Sequence, residues 1–360
     1  MLDSMLGLST RAARITWTVI LIVILLGFVY AIRETVLVFA AALFFAYVLW
    51  PAVSFFERKT PRWLGRTLAL TIVYLLFIGA LIALGATVGG SLFDEANSFA
   101  QKVPELIKNR DWLEHTLPGW LGPAREQIID WIQEQFSSGG AALLPYLKNA
   151  GAALRGTVNG VFYFVLVPIL AFFFIKDGHE MREYLVGIIG DGGRRAMADD
   201  ILEDIHVMLG HYIRVLVTLS LISVIVYSIF FAIAGVPYGV LLACQAALLE
   251  FIPVIGPLVA GIIMLIVAGF AGYQHLLWIV IFWGVYRMIQ DYAISPHLMG
   301  KGVEIHPIVV LFGVLAGEQI GGVPGMFFSV PAIAIIRVIF VRARRAAERR
   351  RGAAVEINPP

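Results

Sequence analysis

Long apolar stretches follow one another along the chain, and their residues do not alternate between apolar and polar at every second position. Continuous runs occur at 15–32, 35–56, 67–93, 157–175, 212–234 and 276–293. About 20 apolar residues carry a helix across a bilayer, and only helices and closed barrels satisfy the backbone in lipid. Because barrel strands alternate with a period of two, the pattern predicts an all-α integral membrane protein with about six full transmembrane helices.

Two further apolar regions are interrupted. Residues 238–270 break just after Glu250, and residues 305–341 break at Glu318 and Gln319. Each half is too short to span comfortably, and proline and glycine end helices. The pattern therefore predicts two re-entrant helical hairpins in addition to the six full spans. A count from hydropathy alone would give eight or so spans. The predicted hinge residues are Pro253, Gly256, Pro257, Gly321, Gly322, Pro324 and Gly325.

The C-terminal half repeats this pattern in the opposite direction. The span 212–234 precedes the first hairpin, and the span 276–293 precedes the second. The first unit would start on the cytoplasmic side and the second on the other side. An inverted repeat of this kind is typical of secondary transporters.

Basic residues indicate which ends of the spans face the cytoplasm. They cluster at Arg11 and Arg14, in the loop 58–66 and in the tail 342–360. Under the positive-inside rule all three lie in the cytoplasm, which predicts a multi-pass protein of the bacterial inner membrane with both termini cytoplasmic. The first run begins like a signal peptide, but no small-residue cleavage pattern follows it, so we expect a retained span.

Two polar stretches separate the spans and complete the predicted organisation. Residues 94–155 carry apolar residues near helical spacing among mixed charges, and residues 176–211 pair an apolar face with an acidic one. The predicted segments are transmembrane helices 1–3 in 1–93, an extracytoplasmic amphipathic helical segment in 94–155, the fourth transmembrane helix in 156–175, a cytoplasmic helical insert in 176–211, a transport core in 212–341 and a basic cytoplasmic tail in 342–360.

Composition supports the membrane assignment and excludes several function classes. Hydrophobic residues make up 59% of the 360 residues and charged residues 14%, against roughly 25% charged in soluble domains. The net charge of +2 does not suggest a nucleic-acid partner. The single cysteine, Cys244, forms no internal disulfide. Nucleotide-binding motifs, a serine-nucleophile elbow and metal-ligand spacings are missing from the sequence, so we expect no cofactor, no metal and no enzymatic activity.

The hairpin breaks carry the candidate chemistry. A helix over 238–249 rises about 18 Å and places Glu250 near the bilayer midplane, and Glu318 is placed similarly. A charge at that depth costs several kcal/mol and usually faces a cavity, a partner or an ion path. We expect the two carboxylates to bind a cation or a proton between the tips; the alternative is an aqueous vestibule or a helix cap. The full set of predicted substrate-binding, ion-binding or coupling residues is Glu250, Glu318, Asp291, Arg287 and Gln319. Arg287 and Asp291 share a helix face and can pair, unless they extend to the interface.

Several motifs, in a fixed order, resemble one transporter family. They are FFFIKDG at 172–178, FIPVIGP at 251–257, DYAISPHLMG at 291–300, HP at 306–307 leading to GGVPG at 321–325, and SVP at 329–331. Over almost its whole length the chain resembles the AI-2E (autoinducer-2 exporter) family, also called the PerM-like permeases. Many relatives have asparagine after the acidic residue at Asp291, where this chain has Tyr292.

The resemblance implies two transport activities. One is secondary, ion-gradient-coupled export of a small solute such as the signal autoinducer-2, and the other is exchange of a monovalent cation (Na⁺, Li⁺ or K⁺) for protons. The resemblance also implies a homo-oligomer, for which a pentamer is one candidate. The alternatives from other classes are a membrane scaffold that transports nothing and an intramembrane enzyme, for which no nucleophile is recognisable.

Overall fold

A computed structural model describes residues 10–59, 67–68, 70–80, 83, 95, 98, 126–127, 158–189, 192–299 and 305–357. Every regular element in these ranges is helical, with no strand among the described residues. The all-α class is thus confirmed for this part of the chain. The predicted segment 94–155 lies almost wholly outside the described residues, as do the loop 60–66 and most of 81–93.

The helices are α1 Thr10–Ala31, α2 Arg33–Lys59, α3 Leu70–Ala80, α4 Val158–Ile188, α5 Gly193–Ala234, α6 Gly239–Leu249, α7 Ile255–Phe270, α8 Leu276–Ile289, α9 Ser295–Met299 and α10 Pro307–Ile357. A π-helical turn, Gln290–Ile294, joins α8 to α9. Of the described helices, α1, α2, α5 and α10 are long and apolar enough to cross a membrane. The predicted cytoplasmic insert is formed by the end of α4 and the start of α5 rather than by a separate helix.

The first interrupted region folds as a hairpin of α6 and α7. Gln245 of α6 donates a hydrogen bond to the carbonyl of Ala260 in α7, at 3.3 Å. At Gly256 a Cβ atom would collide with the carbonyl of Leu249, so only glycine fits where the two limbs meet. The turn itself is strained: Val254 has φ 67° and ψ −58°, the geometry of a γ-turn, which is costly for a β-branched residue.

The second interrupted region also reverses direction, within α10. Gly321 and Gly322 leave helical geometry, and Gly322 has φ 61° and ψ −142°. A Cβ at Gly313 would lie 3.7 Å from the Cβ of Ser329, although a straight helix would separate these residues by about 24 Å. The limbs 307–320 and 323–357 therefore lie side by side.

Helices pack in two buried clusters. One joins α2, α3 and α4 around Leu49, Leu70 and Ala171, and the other joins α5, α6, α7 and α8 around Leu242 and Met264. Small buried residues recur in both clusters, which allows close helix approach where lipid supplies no hydrophobic driving force. The apolar side chains of α1 are exposed along its length, as expected of a helix that faces lipid.

Candidate functional site

A cavity of about 770 Å³ lies between α5, the tip of the first hairpin, α8 and both limbs of α10. Most of its wall is apolar. It extends along α5 from Asp204 to Leu219, a rise of about 22 Å. Most of its charged residues lie at the two ends: Asp204, Arg342 and Arg345 line one, and Glu250, Arg287 and Asp291 line the other. Arg337 lies on the wall between them.

Glu250 is buried at the end of α6, where it contacts three polar side chains from two helices and the π-helical turn. Its Oε1 accepts hydrogen bonds from Nη1 of Arg287 at 3.1 Å and from Nε2 of Gln290 at 2.6 Å. Oγ of Ser223 in α5 lies 3.5 Å from Oε2, at the outer limit of a hydrogen bond. Hydrogen bonds to an ionised carboxylate are stronger than neutral ones, so Glu250 ties the hairpin tip to its neighbours.

Arg287 is shared between two carboxylates. Its Nε lies 2.9 Å from Oδ2 of Asp291 and its Nη2 lies 2.7 Å from Oδ1, a bidentate pair. Residues 287, 290 and 291 share one helix face because they are spaced three and four apart. With both carboxylates ionised, this end of the cavity carries two negative charges against one positive charge.

The residues predicted at the second tip lie elsewhere. Glu318 and Gln319 are exposed on the first limb of α10, and neither lines the cavity. Among the described residues, Glu318 has no hydrogen-bond or ion-pair partner. The structure thus brings together Glu250, Arg287 and Asp291, but it does not bring Glu318 into the same cavity.

The two hairpins are connected by aromatic rings rather than by carboxylates. Phe251, next to Glu250, packs against Phe327 of α10 with ring centroids 5.4 Å apart. Phe44 of α2 contacts both rings, at 5.9 and 4.8 Å. Of the predicted hinges, Pro253 and Pro257 line the cavity.

Three residues of this site were not predicted as binding residues from the sequence: Ser223, Tyr286 and Gln290. Ser223 is fully buried and Gln290 is 1% exposed. The available signal was weak: serine is common in transmembrane helices, and only its partners identify it as part of a site. Those partners are 27 and 63 residues away in the sequence.

Ion pairs hold the other end of the cavity together. Arg342 of α10 lies 2.5 Å from Asp204 and 3.3 Å from Asp200, both on α5. The hydrogen bond from Arg342 holds the pKa of Asp204 below its ordinary value. Arg182 of α4 pairs with Asp199, at 2.8 Å, and with Glu203. Three helices are thus joined beside the acidic face of α5. The described residues contain no cluster of three or more side chains able to hold a metal ion.

Comparison with known proteins decides the family. Residues 19–345 match the family model of the AI-2E family transporters. The chain belongs to this family. The chain is 26% identical to the protein named "Putative transport protein YueF" of Bacillus subtilis over 95% of its length and 96% of the relative. Similar proteins with the same kind of name are YrrI of Bacillus subtilis, at 24% over 84% and 85%, and YhhT of Escherichia coli, at 25% over 88% and 87%.

The family and the helices together establish the general role. This AI-2E family chain is an all-α, multi-pass membrane protein with a role in transport. Its relatives carry the names of transport proteins and not of enzymes.

Proposed function

We propose that this AI-2E family chain exports a small organic solute from the cytoplasm and couples export to the proton gradient through Glu250. Autoinducer-2 is the solute that the family name suggests. The observation that carries the proposal is the cavity that ends at a buried carboxylate. Its volume of about 770 Å³ falls in the range of small-molecule sites, and its apolar walls leave Glu250, Arg287 and Asp291 to orient a polar group.

The charge distribution supports an inward-facing arrangement. The end of the cavity at Asp204 and Arg342 continues into a helix rich in arginine. Arginine-rich ends lie in the cytoplasm under the positive-inside rule, so in this proposal the cavity opens to the cytoplasm. Beyond Glu250 the aromatic rings of Tyr227, Phe231 and Phe282 pack closely, which closes the other side.

Protonation of Glu250 provides a coupling step. While the carboxylate is ionised, its bonds to Arg287 and Gln290 hold the tip of the first hairpin against α8. Protonation removes the charge and weakens these bonds. The tip can then move relative to α5 and α8, and the aromatic contact of Phe251 with Phe327 transmits the movement to the second hairpin. A midplane site between mobile hairpins fits alternating access.

The test compares two substitutions in liposomes that contain purified protein. Efflux of labelled autoinducer-2 and the internal pH are followed together for the wild type, Glu250→Gln and Glu318→Gln. We expect Glu250→Gln to lose the pH dependence of efflux and Glu318→Gln to retain it, because only Glu250 lines the cavity. Unchanged pH dependence in Glu250→Gln would contradict the coupling step. If only Glu318→Gln lost the pH dependence of efflux, the coupling residue would be Glu318 at the second tip instead of Glu250.

Exchange of a monovalent cation for protons is the second candidate. One observation favours it: Glu250 and Asp291 face a single arginine, which leaves one net negative charge for a cation to neutralise. Pulses of Na⁺, Li⁺ or K⁺ outside the same liposomes would then change the internal pH without any organic solute. A scaffold that transports nothing predicts neither response. The homo-oligomer remains a prediction, which cross-linking in the membrane would test.

A further inference from the structure

Two buried hydroxyl groups lie on the side of Glu250 that faces away from the cavity. Oγ of Ser223 lies 3.0 Å from the hydroxyl of Tyr286 and 3.5 Å from Oε2 of Glu250. Ser223 is 0% exposed and Tyr286 is 5% exposed. Neither residue lines the cavity. The two oxygens of Glu250 thus have different surroundings: Oε1 faces Arg287 and Gln290, and Oε2 faces the hydroxyl pair.

The direction of the hydrogen bonds from Tyr286 to Ser223 to Glu250 follows from the number of protons that the hydroxyl groups carry. The serine hydroxyl has one proton, so it can donate to only one of its two neighbours. When Glu250 is ionised, the carboxylate can only accept. Ser223 then donates to Glu250 and accepts from Tyr286, and both dipoles point towards the negative charge. In a dry site such oriented hydroxyls stabilise the charge more strongly than they would in water.

The position of the pair also argues for a role beyond packing. A serine or threonine inside a helix can satisfy its hydroxyl on a carbonyl one turn earlier in the same helix. Thr218 of α5 does so, donating to the carbonyl of Arg214 at 2.8 Å. Ser223 instead bonds across to Tyr286 of α8, beside the tip of the first hairpin.

We propose that Ser223 and Tyr286 are positioning residues that set the pH at which Glu250 binds and releases its proton during transport. This inference rests on the proposed proton coupling through Glu250. The charged and titratable groups that face Glu250 from the neighbouring elements are Arg287 and Asp291 around the end of α8, Tyr286 on α8 and Tyr227 on α5. Of these, Tyr286 is connected to Oε2 through Ser223.

The experiment measures the pH at which transport is half-maximal, in liposomes that contain the full chain and labelled autoinducer-2. Ser223→Ala and Tyr286→Phe each remove one hydroxyl. Both should move the half-maximal pH upwards by about one unit, because the lost donors stabilised the ionised form. The double variant should shift little further than Ser223→Ala alone, because Tyr286 acts through Ser223. Ser223→Thr, which keeps the hydroxyl, should stay near the wild-type value.

Tyr227→Phe is the matched control. Its ring packs against that of Tyr286 with centroids 5.0 Å apart, yet Tyr227 has no hydrogen bond to Glu250 or Ser223 among the described contacts. We expect its half-maximal pH to match the wild type. Elution as a single peak in size-exclusion chromatography establishes that each variant folds, and Tyr286→Phe alone suffices if a substitution at the fully buried Ser223 prevents folding.

Two outcomes separate this inference from the function on which it rests. If the rates fall in Ser223→Ala and Tyr286→Phe while the half-maximal pH stays at the wild-type value, the pair only packs α5 against α8 and the inference is wrong. If Glu250→Gln retains the wild-type pH profile, proton coupling through Glu250 fails, and the inference fails with it.

Discussion

Replacing Gly317 by alanine tests the close packing of the second hairpin. At this position a Cβ atom would collide with the backbone carbonyl of Gly325, and the reciprocal collision occurs at Gly325. No side-chain rotation can relieve a clash with backbone, so the limbs of α10 must separate. Overpacking of this kind costs about 1–3 kcal/mol. The better helix propensity of alanine offsets about 1 kcal/mol, which leaves a net loss of up to about 2 kcal/mol.

The assay is thermal unfolding of purified protein in detergent, with Gly284→Ala as the control. Gly284 lies inside α8, and a Cβ there would meet nothing within 4 Å, so only the gain in helix propensity remains. One kcal/mol shifts the melting temperature by roughly 2–4 °C in domains of 150–250 residues, and by less in longer chains. We therefore expect Gly317→Ala to melt a few degrees lower and Gly284→Ala to melt at the wild-type temperature or above it. Equal melting temperatures for both variants would refute the close approach of the limbs.

Three further predictions follow from other contacts. Cysteines introduced by Gly313→Cys and Ser329→Cys, with the native cysteine replaced by serine, should form a disulfide on oxidation, because their Cβ atoms lie 3.7 Å apart; a continuous helix would leave two free thiols on gel-shift labelling. Arg342→Gln should lower the melting temperature at neutral pH. Because the pKa of Asp204 is depressed in the folded protein, its ionised form stabilises the fold at pH values above the ordinary pKa of aspartate, and this stabilisation is lost as the pH falls through the lower pKa of the folded state. The difference in melting temperature between Arg342→Gln and the wild type should therefore vanish in acid. A difference that stays constant with pH would contradict the ion pair. Val254→Gly should raise the melting temperature, since φ 67° is strained for valine, and a decrease would show that the γ-turn is not populated.

The hairpins were predictable because their signal is local. Proline and glycine interrupt apolar runs that are too short to span, and the structure reverses the chain at both interruptions. At Gly256 and Gly322 the reason for glycine is visible: the first has a backbone carbonyl where a Cβ would lie, and the second has a positive φ. The pairing of Arg287 with Asp291 was equally local, because a helix brings residues four apart together.

The remaining site contacts were beyond sequence reasoning because they join distant positions. Arg287 and Glu250 are 37 residues apart, and Ser223 and Tyr286 are 63 apart. Neither spacing has a sequence signature. Glu318 shows the reverse problem: its position at a helix break matches that of Glu250, yet it is exposed and faces no partner among the described residues. A similar local pattern thus led to the same expectation for two carboxylates whose surroundings differ.

This difference between the tips suggests that the two hairpins have different roles in the proposed transport cycle. The first tip is held by hydrogen bonds to Glu250, which a single proton can weaken. The second is held by backbone contact between Gly317 and Gly325, which no proton can change. Protonation should therefore release the first tip while the second hairpin keeps its internal shape. Because Phe251 and Phe327 join the two, the second hairpin would move as a rigid body behind the first. One buried carboxylate would then suffice to control both halves of the proposed inverted repeat.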